Sequence, residues 1–209
     1  MIRTQGLTFT YDTDDAVFNF PDISLPENEH LLILGKSGIG KTTFLHLLAG
    51  LLSPIQGEIQ IGKVKVHQLS TRQTNKFRGK NIGLVFQKNH AIQSLNVIEN
   101  LEARLFFAKQ TLNQETMTEV LKQLDIADCK NKKVQELSEG QLQRLGIAMA
   151  LVHQPKVILA DEPTSSLDDE NCNKVMNLLI QQAKAHHANL IVITHDNRIK
   201  PMFKNHMAL

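Results

Sequence analysis

One stretch constrains this chain more than any other: Gly35-Lys36-Ser37-Gly38-Ile39-Gly40-Lys41-Thr42-Thr43. It fits G-x-x-x-x-G-K-[ST], a loop whose backbone N–H groups cradle phosphate oxygens while a lysine reaches the outer phosphates. An apolar run, Leu31-Leu32-Ile33-Leu34, leads into it, and a helical pattern, Phe44-Leu45-His46-Leu47-Leu48-Ala49, leads out. Glycines let the backbone curl round an anion, and the free N–H groups at the helix start carry partial positive charge toward it. Lys41 supplies a point charge and Thr42 a hydroxyl for Mg²⁺. The ligand this implies is a nucleoside triphosphate.

The rest of the chain has the period of a parallel α/β sheet. Four apolar strands each run into a residue suited to phosphate chemistry: Leu31–Leu34 into the glycine loop, Ile82–Phe86 into Gln87, Val157–Ala160 into Asp161-Glu162, and Leu190–Thr194 into His195. Uninterrupted Val/Ile/Leu strands alternating with helices mean a sheet covered on both faces. Ligands of such sheets sit beyond the carboxyl ends of the strands, so the four ends are expected to converge on one nucleotide. Asp161 can hold Mg²⁺ through its water shell, and the longer Glu162 can reach a water attacking the γ-phosphate.

Other elements are read by pattern. Ile2–Tyr11 and Val17–Leu25, the latter broken by Pro21, are expected strands, and Gly57–Val66 a hairpin turning at Gly62. Thr42–Leu52 is an expected helix ended by Ser53-Pro54. From Lys88 to Glu136, glutamine, asparagine, lysine and leucine at helical spacing mark an inserted helical subdomain. Ser138–His153 and Asp169–Ala185 are further helices, the second turning Val175, Met176, Leu178 and Leu179 inward. Ser138 and Gln141 form an S-x-x-Q capping box. His46, His153, His186 and His187 are expected on exposed helix faces. Pro201 is expected to block a long final helix, and no further regulatory domain is expected after it.

Composition narrows the function classes. In 209 residues, Lys+Arg 23 against Asp+Glu 21 gives no polycationic surface for nucleic acid, and no nucleic-acid partner is expected. Cys129 and Cys172 have no metal-ligand or redox spacing and read as reduced thiols of a cytosolic protein. Neither a signal segment nor an apolar run near 18 residues is present, so a membrane role needs a partner.

Taken together, these motifs resemble those of the ABC-family ATPases, the nucleotide-binding subunits of ABC transporters. Leu137-Ser138-Glu139-Gly140-Gln141 resembles the L-S-G-G-Q signature, Ser165-Ser166-Leu167-Asp168 the D-loop, Gln87 the Q-loop glutamine and His195 the switch histidine. Tyr11 matches the aromatic that stacks on adenine. The resemblance covers essentially the whole chain. It implies an α/β fold: a P-loop NTPase parallel-sheet core (1–87 and 137–209), an N-terminal antiparallel β subdomain, and a helical subdomain (88–136) that contacts a membrane partner. It also implies ATP and Mg²⁺ as cofactors, with Lys41, Glu162 and His195 catalytic, and Thr42, Gln87 and Asp161 around the metal. Ser138, Gly140 and Gln141 would reach the ATP of a second copy, so the implied assembly is a dimer around two ATPs, with an integral membrane permease. The chain would sit in the cytoplasm on the inner face of the membrane. Leu159–Asp168 and the compact length most resemble the lipoprotein-release, macrolide-export and cell-division types. Two alternatives stand beside transport: a mechanical envelope or cell-division regulator, and a soluble ABC ATPase.

Two positions depart from the family pattern. Glu139 replaces the first signature glycine. A carboxylate about 4 Å from a phosphate charge would cost about 4 kcal/mol at an effective dielectric of 20, so Glu139 is expected to point away. Met149 stands where arginine is common.

Overall fold

The computed structural model describes residues 1–12, 16–87, 90–165 and 167–209. Lys88, at the start of the expected subdomain, and Ser166 of the D-loop-like motif lie outside the described residues. In chain order the elements are β1 (Ile2–Phe9), β2 (Phe18–Asn19), β3 (Ser24–Leu25), β4 (His30–Leu34), α1 (Lys41–Leu48), β5 (Gln56–Ile61), β6 (Val64–Lys65), α2 (Thr71–Asn81) and β7 (Ile82–Val85). There follow α3 (Val97–Phe107), α4 (Gln114–Gln123), α5 (Glu139–Leu151), β8 (Val157–Asp161), α6 (Asp169–Ala185), β9 (Asn189–Thr194) and β10 (Asn205–Ala208).

Five strands form a parallel sheet in the order β10-β4-β9-β8-β7. Every residue of β8 and β9 is buried, because successive side chains enter opposite cores. Leu31, Ile33, Leu159, Ile191 and Ile193 pack with α1 and the N-terminal strands. Leu32, Ile158, Ala160, Leu190 and Val192 pack with α5, α6 and the helices of the inserted subdomain. An uninterrupted apolar strand therefore feeds two cores at once.

The antiparallel sheet runs β2-β1-β5-β6, with β3 also on β1. The expected strand Val17–Leu25 is two short pieces on either side of Pro21, which has no N–H to give a ladder. Gly62, at φ 60, turns the β5–β6 hairpin as expected. Helix α1 is shorter than its pattern: it stops at Leu48, and Gly50 takes φ 64 just beyond. Gly83 lets α5 lie directly on β7, since a Cβ there would run into the Ala150 carbonyl oxygen.

Three features were not expected. Helix α2 has no buried residue and so no apolar stripe, but a Ser70–Gln73 capping box starts it, the same signal that marks α5. Strand β10 is short and only half-buried, and it adds to the edge of the parallel sheet at β4. His153 is a correction: it is 4% exposed, with Nε2 3.0 Å from the Ile82 carbonyl and 3.1 Å from Arg104 Nη2. The chain turns inward once α5 ends at Leu151, which takes His153 off the helix face and under β7. His46 and His186 are half-buried, and only His187 is exposed.

Candidate active site

Gly40 is the hinge of the phosphate loop. It caps α1 at φ 102, a left-handed conformation that a side chain would oppose, and a Cβ there would meet the Phe18 ring at 2.8 Å. The turn swings Lys41 inward, where it is 6% exposed, and its Nζ donates to the carbonyls of Gly35 (2.8 Å) and Lys36 (3.1 Å). No side-chain cap closes the N-terminus of α1, which leaves its first N–H groups for an anion. Ser37, Gly38 and Ile39 are exposed along the outer curve of the loop.

Parallel pairing then gathers the expected strand ends. Thr42 Oγ1 donates to Asp161 Oδ2 at 2.8 Å, although the residues are 119 apart in sequence. The other carboxylate oxygen, Oδ1, is buried and has no hydrogen-bond partner among the described residues. Burial raises the Asp161 pKa above its usual value and Glu162 adds to the rise, while the Thr42 bond opposes it. A cation would relieve both the orphaned oxygen and the desolvated charge. A hydroxyl and a carboxylate oxygen are also the hard donors that Mg²⁺ prefers, so the residues fit that ion.

Glu162 takes φ 48, a left-handed conformation uncommon for a residue with a side chain. Its N–H donates to the Ile193 carbonyl at 2.9 Å, which ties β8 to β9 at the strained residue. Its Oε1 lies 3.2 Å from Lys41 Nζ. Its Oε2 accepts from Thr194 Oγ1 (2.7 Å) and the His195 N–H (3.3 Å), with His195 Nδ1 at 3.0 Å. Burial pushes this carboxyl up, but bonds from His195, Thr194 and Lys41 together outweigh burial and hold it below its ordinary value. It is thus ionised at neutral pH, aimed between a phosphate-binding lysine and a half-exposed histidine.

Tyr11 is 56% exposed at the rim, its hydroxyl 2.8 Å from Thr43 Oγ1 and its ring edge-on to Phe9 and Phe18. The side chain is thus more than half exposed while its hydroxyl anchors to the loop. Gln87 donates from Nε2 to Ser165 Oγ at 3.2 Å, so it stands over the segment after β8 and not directly on Thr42 or Asp161.

The signature-like residues lie elsewhere. Ser138 caps α5, accepting from the Gln141 N–H at 3.3 Å, and Gln141 Oε1 accepts the Ser138 N–H at 3.0 Å. Gly140 is exposed with nothing near its missing Cβ, and Glu139 is exposed as well. Ser138, Glu139 and Gly140 share a cleft of about 380 Å³ with Leu167, Asp168 and Lys174. The helix start is exposed to solvent at Ser138, Glu139 and Gly140.

Residues that sequence patterns did not single out complete the site. Thr194 supports Glu162, and Asp196 accepts from Thr164 Oγ1 at 2.9 Å and from Arg198. The Thr194-His195-Asp196 cluster of polar side chains at the end of an apolar strand was the available signal.

A cradle of backbone donors with a buried lysine, a carboxylate–hydroxyl pair fit for Mg²⁺ and a strained, histidine-supported glutamate define a phosphate-loop nucleotide hydrolase. The family model described as ABC transporter matches residues 18–165. The lipoprotein-releasing system ATP-binding protein LolD of Treponema denticola is 34% identical, aligned over 97% of this chain and 92% of that protein. The LolD protein of Buchnera aphidicola subsp. Acyrthosiphon pisum is 36% identical over 98% and 93%. A solved dimeric, post-hydrolysis structure of the ATP-binding cassette MJ0796 bound to ADP and Pi superposes with a TM-score of 0.88 at 32% identity, covering 100% of this chain and 94% of that one. The chain belongs to the ABC transporter ATP-binding family, and it is an ATP-binding, ATP-hydrolysing subunit of a transporter.

Proposed function

We propose that this chain drives a lipoprotein-release or macrolide-export type of transporter by hydrolysing Mg²⁺-ATP between two copies of itself. The observation that carries the reading is the junction of Lys41, Thr42, Asp161, Glu162 and His195 at adjacent strand ends. Adenine stacks on Tyr11, and the phosphates lie against Gly35–Thr43. Thr42 and Asp161, with Gln87 at the edge, hold Mg²⁺, which neutralises charge on the phosphate oxygens when bound. Lys41 draws the outer phosphates inward. Glu162 polarises the attacking water, and His195 holds Glu162 and reaches the γ-phosphate. The other half of each site is the exposed start of α5, where Ser138, Gly140 and Gln141 meet the ATP of the second copy.

No helix among the described residues is long and apolar enough to cross a membrane, so work on a membrane substrate needs an integral permease. Its cytoplasmic element is assigned to a cleft of about 170 Å³ between β7, α2, α3 and α5. Leu84, Phe86 and Met149 offer apolar lining there, with Arg78 and Arg104 at the wall. One turn beyond Arg104, Phe106 and Phe107 are 72% and 74% exposed, an apolar pair suited to a partner. On this reading the protein sits on the cytoplasmic face of the membrane, held by that permease through residues 88–136 and their surroundings. The test is purification of the tagged protein from detergent-solubilised host membranes. An integral subunit is expected to accompany it, and Phe107→Glu is expected to release that subunit with ATP binding intact. Recovery of the wild-type chain from the soluble fraction alone would overturn the reading.

A further inference from the structure

We infer that Arg198 is a positioning residue for hydrolysis, clamping the loop that carries His195 to the Leu167–Asp168 segment beside the signature cleft. The inference rests on the reading above and adds a part to it.

Arg198 stands in a short 3₁₀ helix, Asn197–Met202, capped by Asp196. Its guanidinium meets two separate loops at once. Nε donates to both Asp196 oxygens (2.9 and 3.1 Å), and Nη2 donates to Oδ2 at 2.7 Å. On the other side, Nη1 and Nη2 each donate to the Leu167 carbonyl at 3.2 Å, and Nη1 donates to Asp169 Oδ1 at 2.6 Å. Only a planar fork with several fixed donors can satisfy both sides, and lysine cannot.

The two ends of this clamp lead to different functional features. From Asp196, the backbone N–H donates to Thr194 Oγ1 at 3.0 Å, and Thr194 Oγ1 donates to Glu162 Oε2 at 2.7 Å. Arg198 is thus three contacts from the residue that polarises water. From Leu167, the chain passes to Asp168, which caps α6 and lines the same cleft as Ser138 and Gly140. In a closed dimer that cleft faces the other ATP. The clamp spans the gap between one active centre and the half-site offered to the second.

Its removal has a defined consequence. Asp196 is 9% exposed, and without the guanidinium its charge would retain only the Thr164 hydroxyl, the Cys172 thiol at 3.7 Å and backbone donors. A buried charge left short of partners moves toward water, taking the His195 loop with it.

The experiment compares wild type, Arg198→Lys and Arg198→Gln. It measures steady-state Mg²⁺-ATP turnover, equilibrium binding of a fluorescent ATP analogue, and the folded fraction from thermal melts. We expect kcat to fall ten- to a hundredfold in Arg198→Gln and less in Arg198→Lys, with the analogue's Kd within twofold of wild type. In a Glu162→Gln background, Arg198→Gln should also lower the fraction of ATP-induced dimer. A kcat within twofold of wild type in the folded Arg198→Lys and Arg198→Gln proteins would overturn the inference. So would a fall in kcat matched by equal loss of nucleotide binding or of folded protein. An inactive wild type would instead sink the hydrolase reading itself.

Discussion

Lys41 Nζ lies 3.2 Å from Glu162 Oε1, so the lysine of the phosphate loop after β4 is ion-paired with the glutamate that follows β8, across the intervening β9. The pair is largely shielded from water, at 6% and 11% side-chain exposure, and Lys41 donates as well to two carbonyls of its own loop. Triphosphate oxygens entering the loop compete for the same three donors of the ammonium group. Binding of the anion and release of the Glu162 carboxylate toward water are therefore linked through one side chain.

Glu162→Gln removes the negative charge and keeps an oxygen acceptor for Thr194. General-base removal typically costs about 10²–10⁴ in rate, and a loss of that size in steady turnover is expected here. ATP binding should persist, and the ATP-bound dimer should accumulate, as measured by light scattering after gel filtration. Full turnover in the variant would remove Glu162 from its assigned role.

Glu139 is exposed in the first turn of α5, where an acid favours the helix dipole by about 0.3–1 kcal/mol. Glu139→Gly gives up that term and adds a glycine cost of up to about 1 kcal/mol. A fall of roughly 2–8 °C in Tm is expected by calorimetry for a domain of this size. ATP turnover and dimerisation should stay within twofold of wild type. A tenfold rise in turnover would show that the carboxylate opposes the phosphate of the second copy's ATP.

His153 carries a pH dependence of stability. Burial, with the Arg104 charge beside it, lowers its pKa from 6.5 to about 3. The unfolded chain therefore binds a proton below about pH 6.5 that the folded chain does not take up until about pH 3. Stability from this group is complete above pH 6.5 and falls as pH drops, by about 1.4 kcal/mol per pH unit in that window. Urea unfolding of wild type and His153→Gln between pH 8 and 4 checks this. The variant should be less stable at pH 8 and show a shallower fall toward pH 4. Parallel curves would place the slope on other groups.

Much of the site was legible because its chemistry is local. The glycine loop, the Asp161-Glu162 pair and the Ser138–Gln141 capping box each depend on residues within a few positions of one another, so spacing alone carries them. Uninterrupted apolar strands also announced a parallel sheet buried on both faces, while its strand order, β10-β4-β9-β8-β7, appeared only in the structure. Helix α2 escaped because it buries nothing, and periodicity reports only burial. His153 was misplaced because helical spacing says nothing about a residue beyond the last turn.

The sequence by itself determined that phosphates bind at Gly35–Thr43 and that carboxylates and a histidine end the other strands. Only the tertiary structure decided which of them touch: Thr42 with Asp161, Lys41 with Glu162, Glu162 with Thr194 and His195, and Asp196 with Arg198 and Thr164. The reason is physical. Loop and helix signals arise from backbone hydrogen bonding over a few residues, whereas these contacts exist only once parallel strands are laid side by side. Their partners then meet across long stretches of chain, and no local pattern encodes that pairing.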